Sequence, residues 1–480
     1  MRRILYLAVM LSAVSLLSFG QFNIAHNASN TPGVRSSFAQ VAFGPDGVLH
    51  IVWGEDQGAS LSNVFYTNWD GTTMATPIQI SQATDEQCYF PFVATNGKGM
   101  IAIIWAQNHT HWLAVFDPET KQWQEPEQVS GESFGGGYDC RPKVGLDQDN
   151  NIFCYIGAKA LYQSYARCKI DGVWEDMFLL SPPGFPCKEG GVCVTPEGVA
   201  WTVYGVKEDD GDYKPHYRTR TKDTEWTEDT AVPGIKGSQG KAYIAVGLNG
   251  IPYLCLQHVT THEGANNIIV VKMDGDEFPQ EVATDISAYH YPRVTTDNEG
   301  YVWLASQFGQ GDHGLGITYW DNTTGEWQAN GILPDSSGEP KMPGIAADAY
   351  GNVAISYDPL VNGVRESIFS TRYPVEPKHF YPPINTKVTV SVSGIMTGSP
   401  QIEFGLSWQK NPDNNDTYLR GYKIFKKEGS GDWEELTEVT KDTLSYEIAY
   451  SSALTQKIQF AISAVSAAGF EGDRKVFGAE

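Results

Sequence analysis

The stretch Tyr291-Pro292-Arg293-Val294-Thr295-Thr296-Asp297-Asn298-Glu299-Gly300-Tyr301-Val302-Trp303-Leu304 decides the fold. It reads as a short strand, a tight turn that closes at Gly300, and a second short strand, because β-branched and aromatic residues flank a polar turn that ends in glycine. The same pattern occurs seven times along the chain. Its turn position falls at Gly47, Gly99, Asn150, Gly198, Gly250, Gly300 and Gly351.

A nearly constant period separates these copies. The steps between successive turns are 52, 51, 48, 52, 50 and 51 residues. A β-branched residue stands six positions before every turn, at Val41, Val93, Val144, Val192, Ile244, Val294 and Ile345. Several short strands within a period of this length are typical of a β-propeller, in which each repeat forms one four-stranded blade. The sequence therefore predicts an all-β protein with a seven-bladed β-propeller over residues 21–375.

The seventh repeat lacks a fourth strand of its own. After Tyr373 the chain continues as Pro374-Val375-Glu376-Pro377, and proline cannot continue a central strand. The segment Phe22–Asn27 precedes the first repeat and has no other partner in the pattern. We expect this N-terminal strand to complete the last blade, because such closure removes the exposed edge of an open ring.

The N-terminus and the charge limit the location and the partners. Arg2 and Arg3 precede an apolar run that reaches Phe19, which predicts a cleaved signal peptide over residues 1–20 and a secreted or periplasmic protein. No later stretch is long and apolar enough to predict a membrane span. The net charge of −23 argues against a nucleic-acid partner, because phosphate binding needs basic charge.

The C-terminal part has a different pattern. After a linker over residues 376–382 the period stops, and three motifs follow in order: 404–408 (Phe-Gly-Leu-Ser-Trp), 421–425 (Gly-Tyr-Lys-Ile-Phe) and 460–469 (Phe-Ala-Ile-Ser-Ala-Val-Ser-Ala-Ala-Gly). These motifs resemble a fibronectin type III domain. The resemblance implies a β-sandwich over residues 383–480, with Trp408 and Tyr422 in its core. Ile458 stands where that family usually has its corner tyrosine.

The repeat pattern of residues 21–375 resembles the sialidase-like, BNR-type group of secreted propellers. The Ser-x-Asp-x-Gly-x-x-Trp boxes of sialidases are absent from the sequence, and no arginine triad of that family can be assigned residue by residue. Uronate polysaccharide lyases share the architecture, but none of their motifs is found here. The resemblance thus implies a carbohydrate-recognising propeller without implying sialidase activity.

Residues nine and ten positions before each turn are expected to surround the mouth of the ring, where the first strands begin. At these positions we find four cations, Arg141, Lys188, Lys241 and Lys341, together with Tyr89, His290 and Tyr291. A positive mouth on an acidic protein attracts an anionic ligand. The sequence therefore predicts binding of an acidic, uronate-containing polysaccharide. His258, in a neighbouring loop, is a further candidate for contact with the ligand.

Catalysis at this mouth is one of several alternatives. In a lyase, Arg141 and Lys241 would neutralise the uronate carboxylate, and His290 or Tyr291 would remove the proton from the adjacent carbon. A glycosidase would instead need two carboxylates, for which Glu55, Asp56 and Asp358 are candidates. The remaining alternative is a non-catalytic adhesion or protein-interaction scaffold, in which Arg141 pairs with Asp139 and Lys188 with Glu189. The sequence does not decide whether the protein is an enzyme.

Metal and cofactor sites are not predicted. His258 and His262, or His109 and His111, are better explained as surface residues, because neither pair lies in a metalloprotease motif. The seven cysteines show no Cys-x-x-Cys spacing. Cys154 and Cys168 are expected on paired strands, where they would face each other.

Overall fold

The computed structural model describes residues 22, 25–58, 61–82, 86–131, 141–158, 162–209, 211, 213–233, 235, 242–259, 266–273, 281–282, 288–297, 301–308, 314–321, 324–333, 336, 342–372, 381–393, 401–412, 414, 419–450, 457–466 and 471–479. All regular elements in these ranges are β-strands, and none of these residues forms a helix long and apolar enough to cross a membrane. The chain divides into two compact units between Pro377 and Lys378. This division falls inside the predicted linker.

The described part of the first unit contains seven antiparallel sheets of four or five strands and one separate two-stranded hairpin. We number the seven larger sheets in chain order of their innermost strands. The N-terminal strand β1 (His26–Asn27) belongs to the last of them. Sheet 1 contains β2 (Ser36–Phe43), β3 (Leu49–Gly58), β4 (Leu61–Trp69) and β5 (Ile78–Gln79). Sheet 2 contains β6 (Cys88–Thr95), β7 (Ile101–Gln107), β8 (Thr110–Asp117), β9 (Gln122–Trp123) and β10 (Glu127–Ser130). Sheet 3 contains β11 (Lys143–Leu146), β12 (Ile152–Ala158), β13 (Gln163–Ile170), β14 (Val173–Trp174) and β15 (Phe178–Leu179).

The remaining sheets follow the same order of strands. Sheet 4 contains β16 (Cys187–Val194), β17 (Ala200–Lys207), β18 (Tyr213–Arg220) and β19 (Thr230–Ala231). Sheet 5 contains β20 (Ala242–Val246), β21 (Pro252–Val259), β22 (Asn266–Lys272) and β23 (Glu281–Val282). Sheet 6 contains β24 (Ala288–Thr296), β25 (Val302–Phe308), β26 (Leu315–Asp321) and β27 (Glu326–Ile332). Sheet 7 contains β28 (Gly344–Ala347), β29 (Val353–Tyr357), β32 (Ile368–Thr371) and β1, beside a hairpin of β30 (Leu360–Val361) and β31 (Val364–Arg365).

The first strands of these sheets form a closed ring. Each one contacts the first strand of the next sheet, from β2 through β6, β11, β16, β20 and β24 to β28, and β28 in turn contacts β2. The β-branched residues six positions before the turns lie between adjacent sheets, and Val93, Val144 and Val294 are among the most buried of them. The chain therefore has a propeller-like fold, whose axis passes between the first strands.

The predicted turns have the geometry that their residue types favour. Gly47, Gly99, Gly198, Gly250 and Gly351 all have positive φ angles between 77° and 85°, and Asn150 has a φ of 68°. This left-handed region of backbone conformation is strained for most residue types, but glycine adopts it freely and asparagine tolerates it. The amide of Gly47 donates to the carbonyl oxygen of Gly44 at 3.0 Å. Gly300 lies outside the described residues.

The N-terminal strand occupies the place that the sequence predicts for it. In β1, His26 is opposite Phe369 and Asn27 is opposite Ile368, so that β1 is the outer strand of sheet 7. The His26 ring stacks on the Phe369 ring at 5.2 Å, and Ala28 is completely buried beside the same phenylalanine. The Asn27 side chain donates to Glu366 at 2.7 Å. The two ends of the ring are thus joined by backbone pairing and by side-chain packing.

Removal of residues 21–30 is expected to destabilise the first unit by about 2–3 kcal/mol, since it removes several hydrogen bonds at about 0.5–1.5 kcal/mol each together with the packing of Ala28. Thermal melts monitored by circular dichroism measure the effect. Asn27→Ala is the matched control, because it removes the side-chain bond to Glu366 and keeps the strand, so that its melting temperature should fall much less. An unchanged melt of the deletion variant would contradict the role of β1 in closure.

The second unit consists, in its described part, of two sheets. Their strands are β33 (Ile384–Ser393), β34 (Gln401–Gln409), β35 (Leu419–Glu428), β36 (Glu434–Thr440), β37 (Ser445–Tyr450), β38 (Ile458–Ser466), β39 (Lys475–Val476) and β40 (Gly478–Ala479). One sheet has the strand order β37-β34-β33-β40, and the other has the order β36-β35-β38-β39. Trp408 and Tyr422 are buried, with their ring centroids 5.7 Å apart in an edge-on contact.

Candidate functional site at the axis

Irregular backbone at the start of the first strands places side chains at the axis. The pairing register of the first and second strands shifts between Ser37 and Gln40, Tyr89 and Phe92, Lys188 and Gly191, and His290 and Arg293. These shifts mark β-bulges, which bend a strand and redirect its side chains. The positions nine residues before the turns have positive φ in four sheets, at Phe38, Phe90, Tyr291 and Met342.

Arg141 lies at the centre of the ring. Its guanidinium carbon is 5.1 Å from the centroid of the Phe90 ring in sheet 2 and 5.2 Å from that of the Tyr291 ring in sheet 6. It precedes the first strand of sheet 3, which is not a neighbour of sheet 6 in the ring. The contact with Tyr291 therefore crosses the axis. The sequence had predicted both residues at the mouth, and the structure brings them together.

Glu189 of sheet 4 is the ionic partner of Arg141. The Nη1 atom of Arg141 donates to Oε2 of Glu189 at 2.8 Å, and both side chains are almost completely buried. Gly190 allows this placement, because a Cβ atom there would lie only 1.9 Å from the carbonyl oxygen of Val203 on the second strand. The scaffold alternative had paired Glu189 with Lys188. The observed partner instead comes from the neighbouring sheet.

Two further cationic residues follow the Arg141 and Tyr291 positions by two residues along the chain, seven positions before their turns. Lys143 of sheet 3 is buried, with its Nζ atom 4.9 Å from the centroid of the Phe92 ring. Arg293 of sheet 6 is also buried, and its guanidinium carbon lies 3.5 Å from the centroid of the Tyr243 ring. Sequence reasoning missed these two residues as site residues. The same repeat alignment, read at seven positions instead of nine and ten, contains the signal that would have found them.

The protonation equilibria reflect this crowding of buried charge. Burial lowers the pKa of Lys143 to about 7; Glu189 opposes this effect, whereas Arg293 and Arg141 add to it. Burial also disfavours the charge of Arg141, but Glu189, Tyr243 and Tyr291 together outweigh this effect and raise the pKa of Arg141. For Tyr243, burial and the carboxylate of Glu189 raise the pKa. The tyrosine is therefore neutral near pH 7, where Lys143 is close to half protonated.

Several donors of this cluster have no hydrogen-bond acceptor within the described part of the chain. They are Nε of Arg141, Nε of Arg293 and the hydroxyl of Tyr243, all of them buried. Buried donors are nearly always satisfied in folded proteins, because an unmade hydrogen bond costs about 1–3 kcal/mol. These donors come from sheets 3, 6 and 5, and the charges of Arg141 and Arg293 both act on Tyr243. The arrangement is suited to an anion, which accepts hydrogen bonds and offsets positive charge.

The other predicted site residues have mixed outcomes. Tyr89 lines the mouth, and its hydroxyl donates to the carbonyl oxygen of Asn108 at 2.9 Å. Lys188 places its Nζ atom 4.3 Å from the centroid of the Tyr213 ring. For His290 in β24 and His258 in β21 the backbone is placed, but the side chains lie outside the described part. Lys241 and Lys341 lie outside the described residues altogether.

The carboxylates considered for a glycosidase are engaged in structural contacts. Glu55 is buried and accepts from Nε1 of Trp53 at 3.1 Å and from the hydroxyl of Thr31 at 2.8 Å. Asp358 is buried and accepts from the amide of Phe38 at 3.4 Å. Asp56 is exposed at the mouth. A pair of free carboxylates is therefore not found among these three residues.

The predicted contact between Cys154 and Cys168 is wrong. Cys154 is opposite Arg167, whereas Cys168 is opposite Phe153. Because successive residues of a strand point to opposite faces, the two thiols lie on opposite sides of sheet 3. Each belongs to a different core cluster, and both are free. Their side chains pack as small apolar groups, and burial raises the pKa of both thiols.

The described residues contain no group of three histidine, cysteine or acidic side chains that is arranged to hold a metal ion.

A polar cluster that sequence reasoning missed lies on sheet 4. There Nδ1 of His216 is 2.7 Å from the carboxylate of Asp229, and the hydroxyl of Tyr204 donates to the same carboxylate at 2.6 Å. Glu208 lies 3.4 Å from Nε2 of His216 and is paired with Lys214. These groups satisfy one another, and His216 and Lys214 lie on β18, the third strand of sheet 4.

No family model matches the chain, and no curated protein matches it. Among solved structures, an α-L-arabinanase of Penicillium chrysogenum has 14% sequence identity and a TM-score of 0.43, over 63% of this chain and 98% of that one. A sialidase of Trypanosoma rangeli has 10% identity and a TM-score of 0.41, over 92% and 83%. An ulvan lyase has 9% identity and a TM-score of 0.46, over 72% and 95%. These likenesses are weak, and the evidence for the propeller-like fold is the arrangement of the chain's own sheets.

Proposed function

We propose that the protein is an exported, seven-bladed β-propeller that binds an acidic, uronate-containing polysaccharide at its axial mouth. The observation that carries the proposal is the burial of Arg141, Lys143 and Arg293 around one point of the axis. Among the described residues of this cluster, only Glu189 supplies a carboxylate. The cluster therefore holds a positive charge at the centre of a chain whose net charge is −23.

The positive charge favours an anionic ligand in two ways. A concave, low-dielectric site focuses the electric field and raises the local concentration of ligands of opposite charge. Buried charges without full compensation also destabilise the free protein, so a carboxylate that reaches them gains binding energy by removing this cost. An uronate supplies that carboxylate together with a pyranose ring, whose apolar face fits the Phe90 and Tyr291 rings at the mouth.

The finer assignment of the fold is part of the proposal. The closed ring of first strands and the pairing of β1 in sheet 7 support seven blades and closure by the N-terminal strand. The strand orders of the second unit and its buried Trp408 and Tyr422 support a fibronectin type III-like sandwich. In the proposed protein this sandwich is a spacer or a docking domain and takes no part in ligand binding.

Lyase chemistry is a narrower form of this proposal. It uses Arg141 to neutralise the uronate carboxylate and Tyr291 or His290 to accept the proton of the adjacent carbon. The contact between Arg141 and the Tyr291 ring supports it. The buried pair of Arg141 and Glu189 favours the competing candidate, an adhesion or protein-interaction scaffold, because a side chain held in such a pair is less available to a ligand.

The proposal is tested with isothermal titration of acidic polysaccharides (polygalacturonate, alginate, hyaluronan) and of neutral dextran. Binding of at least one acidic polymer, and of no dextran, is expected. Lys143→Met or Arg293→Gln should weaken binding about tenfold or more, since hydrogen bonds to charged groups contribute about 1.5–3 kcal/mol. Lys98→Met is the control, because Lys98 is exposed near the Gly99 turn, at the other end of the first strand.

The same mixtures report on catalysis. Elimination produces an unsaturated uronate, whose ultraviolet absorbance rises with time, and hydrolysis produces new reducing ends. Binding without the formation of either product would mean that the protein binds the polysaccharide and does not cleave it. Absence of binding to every acidic polymer, or equal binding of the wild type and both variants, would overturn the axial site and favour the scaffold.

A further inference from the structure

A cavity between sheets 1 and 2 opens at the same end of the ring as Arg141. It has a volume of about 210 Å³. Its lining comes from the start of the first strand in both sheets and from the end of β3. Three aromatic residues and three exposed polar residues matter here, namely Phe38, Tyr89, Phe90, Arg35, Asp56 and Gln87. Of these residues, Phe90 also contacts Arg141 at the axial site proposed above, whereas Phe38, Arg35 and Gln87 have no role in that site.

The aromatic wall of this cavity is held in place. The Phe38 and Phe90 rings lie 4.5 Å apart and are tilted by 56°, and the Tyr89 ring meets Phe90 edge-on at 5.1 Å. The hydroxyl of Tyr89 is anchored on the carbonyl oxygen of Asn108. An aromatic surface of this kind packs against the C–H groups of a sugar ring without ordering new side chains, so little entropy is lost on binding.

The backbone at this wall has the left-handed conformation that recurs nine positions before the turn in four sheets. Phe38 has a φ of 63° and Phe90 a φ of 54°. Such conformations cost a bulky side chain of the order of 1 kcal/mol or more. In sheets 1 and 2 they accompany two rings that meet at the cavity.

The polar rim matches an uncharged, hydroxyl-rich ligand. Arg35 and Asp56 carry opposite charges, and their backbones are joined by a hydrogen bond of 2.9 Å from the amide of Asp56 to the carbonyl oxygen of Arg35. Arg35 donates hydrogen bonds, Asp56 accepts them, and Gln87 does both. A sugar hydroxyl also donates and accepts, so this rim suits hydroxyls better than a charged group of either sign.

The size of the cavity limits the ligand to one ring. Its volume of about 210 Å³ is smaller than that of sites for drug-sized ligands, which have about 300–1,000 Å³. The Phe90 ring separates the cavity from Arg141, whose guanidinium carbon is 5.1 Å from that ring's centroid. A ligand in the cavity is thus close to a ligand at the axis.

From these contacts we infer that the cavity is a subsite for one neutral pyranose, the sugar next to the acidic residue bound at the axis. This inference rests on the proposed function and makes it more specific. The preferred polysaccharide then alternates acidic and neutral sugars, with the carboxylate at Arg141, Lys143 and Arg293 and the neutral ring against Phe38 and Phe90. Homopolymers of uronate place a carboxylate in the cavity beside Asp56 and bind less well.

The test compares two polymers of matched length, the homopolymer polygalacturonate and the alternating polymer hyaluronan, by isothermal titration with the full chain. Hyaluronan is expected to bind at least tenfold more tightly per repeat. Asp56→Asn and Phe38→Leu should each weaken hyaluronan binding about fivefold or more. Phe38→Leu should leave polygalacturonate binding within twofold, whereas Asp56→Asn should strengthen it, because the variant removes the negative charge that repels the carboxylate of the homopolymer. Asp176→Asn, at an exposed aspartate near the outer strands of sheet 3, is the matched control and should change neither affinity.

The outcomes separate this inference from the proposed function. Binding of both polymers with equal affinity, or equal weakening of both by Asp56→Asn, would overturn the subsite and leave the axial site intact. If neither polymer binds the wild type, the axial site and the subsite fall together. Because Asp56 is exposed, Asp56→Asn should keep the wild-type melting temperature, so its binding result does not depend on Phe38→Leu being stable.

Discussion

Glu189→Gln is expected to destabilise the propeller-like unit by about 3–5 kcal/mol, the cost of leaving one member of a buried ion pair without its partner. The partner is Arg141, whose side chain is only 3% exposed and cannot lose its proton. Lys143 and Arg293 lie close enough to influence the same electrostatic balance. Glutamine has the size of glutamate and removes only the negative charge. The measured loss therefore reports on electrostatics, with little contribution from packing.

Chemical denaturation of the wild type, Glu189→Gln and the double variant Arg141→Met/Glu189→Met tests this expectation. Replacement of both members of a buried pair by apolar side chains is often neutral, so the double variant should be closer to the wild type than Glu189→Gln is. A loss below about 1 kcal/mol for Glu189→Gln would contradict the burial of the pair. Equal losses for the single and the double variant would assign the effect to packing instead of charge.

The propeller-like fold was predictable because its information is local and repeated. Each turn needs glycine or asparagine at a residue with positive φ, and each first strand needs a β-branched residue six positions earlier. Both requirements recur at a spacing near fifty, so even a weak pattern becomes clear over seven copies. The pairing of β1 was predictable for a related reason, since a closed ring leaves one outer strand unfilled and Phe22–Asn27 had no other partner.

The site was only partly predictable, because the backbone at the mouth is irregular. Reading nine positions before each turn found Arg141 and Tyr291. Lys143 and Arg293 also reach the axis, from seven positions before the turn, and a β-bulge that no residue pattern announced precedes Arg293 in sheet 6. The ionic partner of Arg141 was not predictable either. Sequence proximity pointed to Asp139, which lies outside the described residues, and gave no sign that the ring brings Glu189 from the next sheet.

Lys143 gives the second prediction with a large effect, a pH dependence of stability. Its folded pKa is about 7, compared with 10.5 for the exposed group. Between these values the unfolded chain binds a proton that the folded chain does not, so the free energy of unfolding rises with pH. The slope is about 1.4 kcal/mol per pH unit, which amounts to about 4 kcal/mol between pH 7 and pH 10. Below pH 7 both states bind the proton, and this contribution is constant.

The difference between the wild type and Lys143→Met isolates this contribution, because all other groups titrate in both proteins. This subtraction is needed above pH 8.5, because thiols ionise there in the unfolded chain. Buried thiols such as those of Cys88 and Cys255, whose pKa values are about 12, stay protonated in the folded chain, so the free energy of unfolding falls with pH in both proteins.

Denaturation curves of the two proteins are measured at pH 6, 7, 8, 9 and 10. Above pH 7 the free energy of unfolding of the wild type should rise relative to that of the variant, and between pH 6 and pH 7 the difference should change only by the onset of the titration. Methionine matches the length of lysine without its charge, so the variant itself should unfold at higher denaturant than the wild type at pH 6. Parallel stability curves across the whole range would mean that Lys143 titrates as an exposed lysine, and the axial cluster would then be hydrated instead of buried.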